Sequence, residues 1–143
     1  MKAYLDANIY VCYLLGERGE EEVDRALSIA TECKFSIVAS QAVFGEVQYC
    51  CGNEAVPLLQ ITMEKLSKPG KIAIEKTTEA EVSEASSLNE KTGERFGQND
   101  FLHAIMAARH ADCFVTADRK FAPEASKIVK TLTLDEFLKS LEF

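Results

Sequence analysis

At 143 residues and 47% hydrophobic content, the chain has the size and apolar share of one domain with its own core, expected to span residues 1–143. Sixteen Lys and Arg against 23 Asp and Glu give a formal net charge of −7, which argues against a protein that coats nucleic acid through a general positive field; any contact with phosphate must be local or carried by a bound cation. No apolar run approaches the roughly 20 residues that cross a bilayer, and the N-terminus lacks a basic region followed by a hydrophobic segment and cleavage site, so no membrane association and a cytoplasmic location are expected.

Lys2 to Leu5 is a short apolar stretch that stops at Asp6-Ala7-Asn8, after which Ile9, Cys12, Tyr13 and Leu15 recur at helical spacing: strand, acidic turn, helix. Glu20 to Cys33 reads as an amphipathic helix, and Phe35 to Ala39 as a buried strand. Ser40 can cap a helix running to about Cys51, Gly52-Asn53 breaks it, and helical periodicity resumes from Ala55 to Leu66 before a turn at Pro69-Gly70. Lys71 to Lys76 alternates as a strand does, Thr78 to Lys91 is a polar helix, and Asp100 to Arg109 is a helix apolar nearly all round, as central buried helices are. Cys113 to Thr116 and Ile128 to Leu132 are expected strands, and Leu134 to Leu141 closes as an amphipathic helix. Strands alternating with helices predict an α/β fold around a mainly parallel sheet.

The five cysteines, at 12, 33, 50, 51 and 113, show no Cys-x-x-Cys spacing. Adjacent cysteines such as Cys50 and Cys51 rarely bridge, so most of the five are expected to be core thiols in a reducing compartment.

Four acidic residues stand out by position. Asp6 and Asp118 each follow a predicted strand, where open parallel sheets gather their functional groups. Glu46 projects beside the apolar stripe of Ala42, Val43, Val47 and Cys50, where a carboxylate needs a partner. Asp100 lies above Ala104, Ala107 and Ala111, small residues that let its helix approach the sheet and aim the carboxylate at the strand ends. Two carboxylates at ~4 Å repel by about 4 kcal/mol at an effective dielectric of ~20, so such a cluster calls for protons or a cation. A hard divalent ion with oxygen ligands answers this, Mg²⁺ with Mn²⁺ as substitute, and the chemistry it implies is phosphodiester hydrolysis. In that scheme Asp6 and Asp100 hold a first ion, while Glu46 and Asp118 bind a second or orient the attacking water.

Several neighbours carry competing readings. Asp6 and Asp118 also suit helix capping or a turn, and Asp112 suits support of the turn before the strand at 113. His103 and His110, seven residues apart on one helix, read as packing or surface residues because no third ligand has matching spacing. Arg95, Arg109, Arg119 and Lys120 surround the acids in sequence, and Arg119 and Lys120, directly after Asp118, are the best placed to meet substrate phosphate. A phosphoryl-accepting receiver needs an acidic pair after its first strand and an aspartate after a central one; an aspartate-nucleophile phosphatase needs a second Asp where this chain has Asn8. Neither pattern is met.

Taken together, Y-L-D-A-N-I-Y at 4–10, Glu46 in A-V-F-G-E-V, N-D-F-L-H-A-I-M-A-A at 99–108 and A-D-C-F-V-T-A-D-R-K-F at 111–121 resemble the PIN-domain family of nucleases. The resemblance covers essentially the whole chain and includes the order and spacing of all four acids. It implies a three-layer α/β/α fold with a mainly parallel sheet, dependence on Mg²⁺ or Mn²⁺, and cleavage of single-stranded RNA, often by homodimeric toxins of the VapC kind paired with an antitoxin. By the same resemblance Asn8 and Thr116 support the carboxylates through hydrogen bonds. The segment from Gly52 to Gly97 matches no signature for a particular RNA. The competing expectation is a catalytically silent module that keeps the fold and binds RNA or protein.

Overall fold

The computed structural model describes residues 1–15, 36–66 and 72–141. The expected helix over Glu20 to Cys33, the start of the second strand at Phe35 and the Pro69-Gly70 turn lie outside the described residues.

The elements are β1 (Lys2–Leu5), α1 (Ala7–Leu14), β2 (Ser36–Ser40), α2 (Gln41–Cys51), α3 (Ala55–Leu66), β3 (Ile72–Glu75), α4 (Glu79–Lys91), α5 (Gln98–His110), β4 (Cys113–Thr116), α6 (Ala122–Ala125), β5 (Thr131–Thr133) and α7 (Leu134–Leu141). The five strands make one sheet in the order β3-β2-β1-β4-β5, parallel throughout. From β1 the chain steps outward through β2 to β3, then returns across the sheet to β4 beside β1. With right-handed crossovers, this reversal puts the earlier helices on one face and α4 and α5 on the other, an α/β/α sandwich. The reversal point lies between β1 and β4, where Ala3 pairs with Cys113, Tyr4 with Phe114 and Leu5 with Val115. Doubly wound folds open their functional crevice at the carboxyl ends of such a strand pair.

β1 and β4 are buried almost throughout, as strands covered on both faces must be. α5 packs on β1, β2 and β4, and seven consecutive residues of it, Phe101 to Ala107, are buried. Ala104 and Ala107 give the close approach to the sheet that the sequence predicts. Phe96, Phe101 and Phe121 stack edge to face, with ring centroids 5.2 to 6.1 Å apart, and so lock the loop before α5 to the loop after β4.

Three local expectations need correction. Ser40 stands at the N-cap of α2 with extended backbone, but its side chain caps nothing; its Oγ lies 2.6 Å from the hydroxyl of Tyr4 instead. The last strand covers 131–133 rather than 128–132, because Ile128 and Val129 donate backbone bonds to Ala125 and prolong the turn after α6. Of the four described cysteines only Cys113 is buried, while Cys50 is exposed. Gly52 ends α2 at φ +92°, a conformation that favours glycine.

α4 begins with a capping box: Thr78 N–H donates to Glu81 Oε1 at 2.9 Å and Glu81 N–H to Thr78 Oγ1 at 3.3 Å. The Glu81 side chain is only 2% exposed and also meets Arg109 at 3.4 Å. Burial works to raise its pKa, but the Thr78 hydrogen bonds, Arg109 and His110 together bring it below the usual value. A lowered folded pKa means that the ionised form stabilises the fold, a contribution present above the unfolded carboxylate pKa and lost as pH falls through the folded one. Acid unfolding of Glu81→Gln followed by circular dichroism is therefore expected to be less steep below about pH 4.5 than that of the parent. An unchanged acid transition would remove Glu81 from this role.

Candidate active site

Asp6 leaves the end of β1, and its backbone N–H donates to Val115 O at 2.8 Å, which fixes it directly over the β1–β4 seam. Its side chain is buried, and Thr116 Oγ1 donates to its Oδ2 at 2.8 Å. That hydroxyl also accepts from Asp118 N–H at 3.1 Å and from Asn8 Nδ2 at 3.4 Å, which fills its one donor and two acceptor positions. Asn8 Oδ1 in turn accepts from Ala117 N–H at 3.4 Å. These bonds make Asn8 and Thr116 a bridge between the two loops that carry Asp6 and Asp118.

Glu46 comes from α2 and points inward: its Oε2 lies 2.9 Å from His103 Nε2, with the carboxylate side chain 26% exposed. His103 is fully buried on α5, and its Nδ1 lies 2.8 Å from the Tyr4 hydroxyl, itself bonded to Ser40. A buried chain therefore runs Ser40–Tyr4–His103–Glu46 from the ends of β1 and β2 through α5 to α2.

His103 is the residue that sequence reasoning assigned no partner. Two histidines seven apart on an apolar helix read as packing; the available signal was that His103 lies three residues after Asp100, on the same helical face.

Asp100, in the first turn of α5, accepts from Gly97 N–H through Oδ2 at 3.0 Å. Asp118, after β4, accepts from the N–H groups of Lys120 and Phe121 through Oδ1 at 3.0 and 3.1 Å, so it does serve as a turn residue. One oxygen of each of the four carboxylates is thereby engaged by a nearby donor that fixes its direction.

Asp6, Glu46 and His103 each offer an atom within 4.8 Å of the other two, whereas Asp100 and Asp118 stand outside that tight group. They remain close enough for their charges to be felt. Burial pushes the Asp6 pKa up to about 6, aided by Asp100 and Glu46 and opposed by His103 and the Thr116 bond. Burial raises Asp100 as well, against the Gly97 bond, with Glu46 and Asp118 adding to the rise. For His103, burial acts to lower the pKa, but Glu46, Asp6 and Asp100 outweigh it and hold the imidazole above its usual value. The pocket accumulates negative charge faster than the protein neutralises it.

That imbalance tests the fit of a divalent cation. Asp6 and Glu46 bring hard, anionic carboxylate oxygens within 4.8 Å of each other, a donor set that suits a divalent cation. His103 is geometrically near but does not suit as a ligand, because both ring nitrogens already meet Tyr4 and Glu46. The residues fit a cation held by oxygen.

The basic residues named from sequence are mostly committed elsewhere. Arg119 pairs with Asp135 at 3.0 Å, Arg95 lies 5.4 Å from the Phe96 ring centre, and Arg109 pairs with Glu84 at 2.8 Å. Arg109 sits nine residues along α5 from Asp100, about 13 Å at helical rise, so it belongs to the opposite end of the sheet. Lys120 is exposed. Asp112 accepts from Lys2 N–H at 2.7 Å and so ties the start of β1 to the turn before β4.

The profile of the PIN domain matches residues 3–125. No curated protein matches the sequence. Solved structures do. VapBC2 from Rickettsia felis, bound to a DNA fragment from its promoter, aligns with TM-score 0.62 at 22% identity, over 93% of this chain and 98% of that one. VapBC-1 from nontypeable Haemophilus influenzae aligns with TM-score 0.63 at 16% identity, over 94% and 99%. Mycobacterium tuberculosis VapC20, described as a sarcin-ricin loop cleaving toxin, aligns with TM-score 0.59 at 14% identity, over 90% and 97%. At these identities the likeness establishes the fold, and the profile, covering most of the sequence, establishes the family. The chain belongs to the PIN-domain family.

Proposed function

We propose that the protein is a metal-dependent endoribonuclease that hydrolyses phosphodiester bonds of single-stranded RNA, with Asp6, Glu46, Asp100 and Asp118 as its acidic centre. The observation that carries this reading is the approach of Asp6, Glu46 and His103 to within 4.8 Å of one another above the β1–β4 seam, with Asp100 and Asp118 near enough to add to the negative field and each of the four carboxylates tethered by one oxygen. Mg²⁺ or Mn²⁺ bound there would polarise the phosphate and make a bound water nucleophilic near neutral pH. The protein's own part is positional. Asp6 and Asp100 present oxygens fixed by Thr116 and Gly97, and Glu46, held by His103, faces the same space to orient the attacking water.

The choice of RNA rests on the family and on the description of the Mycobacterium tuberculosis neighbour. The VapBC assemblies among the neighbours support the further reading of the protein as the toxin of a toxin-antitoxin pair with a protein antitoxin; action in the cytoplasm as a homodimer is part of the same proposal and rests on the family resemblance. Lys120, exposed and beside Asp118, is the better placed of the two proposed phosphate contacts, since Arg119 must first leave Asp135.

A metal-titrated cleavage assay on a mixed RNA pool, with end mapping of products, tests the reading. Cleavage is expected with Mg²⁺ or Mn²⁺, loss with a chelator, and Zn²⁺ as a poor substitute because His103 offers no free nitrogen. Cleavage that survives exhaustive chelation, or that Zn²⁺ supports best, contradicts an oxygen-held hard cation.

A further inference from the structure

Beside the acidic centre lies an open groove of about 610 Å³ between α2, the turn after β3 and the start of α5, bordered by Gln41, Gly45, Glu46, Tyr49, Thr77 and Asn99. It is continuous with the centre, because Glu46 belongs to both. Three features set it apart from an ordinary surface cleft. Tyr49 is 89% exposed, a large aromatic face left in water three residues along the helix from Glu46, hence about 5–6 Å away between Cβ atoms. The wall is mainly apolar, with Ala42, Cys50 and Leu102 in it, and carries a few uncharged hydrogen-bonding groups: the amides of Gln41 and Asn99, and Thr77 Oγ1, which is buried without a hydrogen-bond partner among the described residues. Among the described residues that line it, none is Lys or Arg.

We propose that this groove is a subsite for one nucleobase of the single-stranded substrate, with Tyr49 stacking on the base and Gln41, Thr77 and Asn99 meeting its edge. The inference rests on the nuclease reading and adds to it where affinity comes from. A strand brought to a chain of net charge −7 gains little from phosphate contacts at a groove without cations, so its bases must supply the hold. Every base has a face for an aromatic ring, and flanking amides and hydroxyls read edges in the manner of single-strand recognition. The volume lies within the range of small-ligand sites, roughly 300–1,000 Å³.

Gly45 gives an independent handle. Gly45 lines the groove and a Cβ built there meets nothing within 4 Å, so a side chain can start at this position, and Gly45→Leu serves to fill the groove.

The test uses short single-stranded RNAs carrying 2-aminopurine, or an abasic site, at each position in turn. Binding is read by fluorescence in chelator, and cleavage with Mn²⁺. The parent is expected to quench 2-aminopurine at one position near the scissile bond and to lose roughly tenfold in affinity when that position is abasic. Tyr49→Ala should lose the quenching, bind roughly tenfold more weakly, and lose the penalty for the abasic site, whereas Tyr49→Phe should behave as the parent. Gly45→Leu should match Tyr49→Ala in binding while its unfolding curve stays that of a folded protein.

Undiminished discrimination against the abasic site by Tyr49→Ala overturns the proposal. So does a Tyr49→Ala variant that changes sedimentation of the protein and leaves oligonucleotide affinity intact, because the face then joins protein chains. Cleavage that ignores Tyr49 removes the subsite alone; Tyr49-dependent quenching by a protein that never cleaves keeps the subsite and removes the nuclease reading.

Discussion

Asp6→Asn is expected to reduce RNA cleavage by more than about a hundredfold, the range that loss of a supporting residue alone reaches at metal sites, while making the metal-free protein more stable. The two effects have one cause. Asp6 is buried at the β1–β4 seam, and its pKa in the fold, about 6, stands above the ordinary aspartate value of 3.8. A folded pKa above the unfolded one means that the fold holds the proton more tightly, so stability is greatest below about pH 4 and falls as pH rises through 6. At neutral pH without metal the ionised carboxylate therefore costs roughly 3 kcal/mol. Asparagine keeps the oxygen that accepts from Thr116 and removes the charge. A rise in Tm of roughly 5–10 °C in chelator at pH 7 is expected, shrinking at pH 4. Asp100→Asn should match it in lost cleavage with a smaller gain in stability, being only half-buried. Cleavage by both variants at the parent rate would sink the assignment of these residues; equal melting of Asp6→Asn and parent at pH 7 would sink the account of buried charge.

His103→Ala is expected to be the most damaging single truncation near the site, at about 3–5 kcal/mol. It opens a cavity in a wholly buried position, takes from Glu46 Oε2 its imidazole partner and leaves the Tyr4 hydroxyl with Ser40 alone. Burial holds the Tyr4 phenol far above its usual pKa, so it stays neutral and cannot replace the imidazole's charge. Tyr4→Phe removes one link and leaves Glu46 anchored, at a cost of about 1–3 kcal/mol. Cleavage measured well below each variant's Tm separates the roles. His103→Ala should lose rate because Glu46 swings free, and Tyr4→Phe should retain most of it. If His103→Ala keeps full rate when folded, the imidazole serves packing only.

The architecture was legible where periodicity had few alternatives. β1 and β4 stop at Leu5 and Thr116 because an acidic turn follows each, and α5 reads as buried because its residues are apolar on every side. Glu46 was legible for a subtler reason, as a carboxylate bordering an apolar stripe that must find a partner. The partner itself was not. His103 sits 57 residues away, and the Tyr4–His103 bond spans 99, separations that leave no local pattern. Ser40 misled for the same reason: its local preference as a cap yielded to a distant hydroxyl. The shift of β5 to 131–133 reflects turn bonding to Ala125, which hydrophobicity does not encode. Arg109 looked close to the acids only because a helix was read as a string; along its axis the residue lies far from Asp100.

Chain order has a consequence for when the pocket comes into being. The carboxylates stand at 6, 46, 100 and 118, and the pairing that seats Asp6 joins Leu5 to Val115, far apart in the order of synthesis. A nascent polypeptide on the ribosome that has exposed only its first hundred residues possesses neither Thr116 to aim Asp6 nor the strand that completes the seam. On the nuclease reading proposed above, such a chain would be inert toward the RNA that surrounds it, and its hydrolytic capacity would arrive late, with the closing of the last long-range contacts.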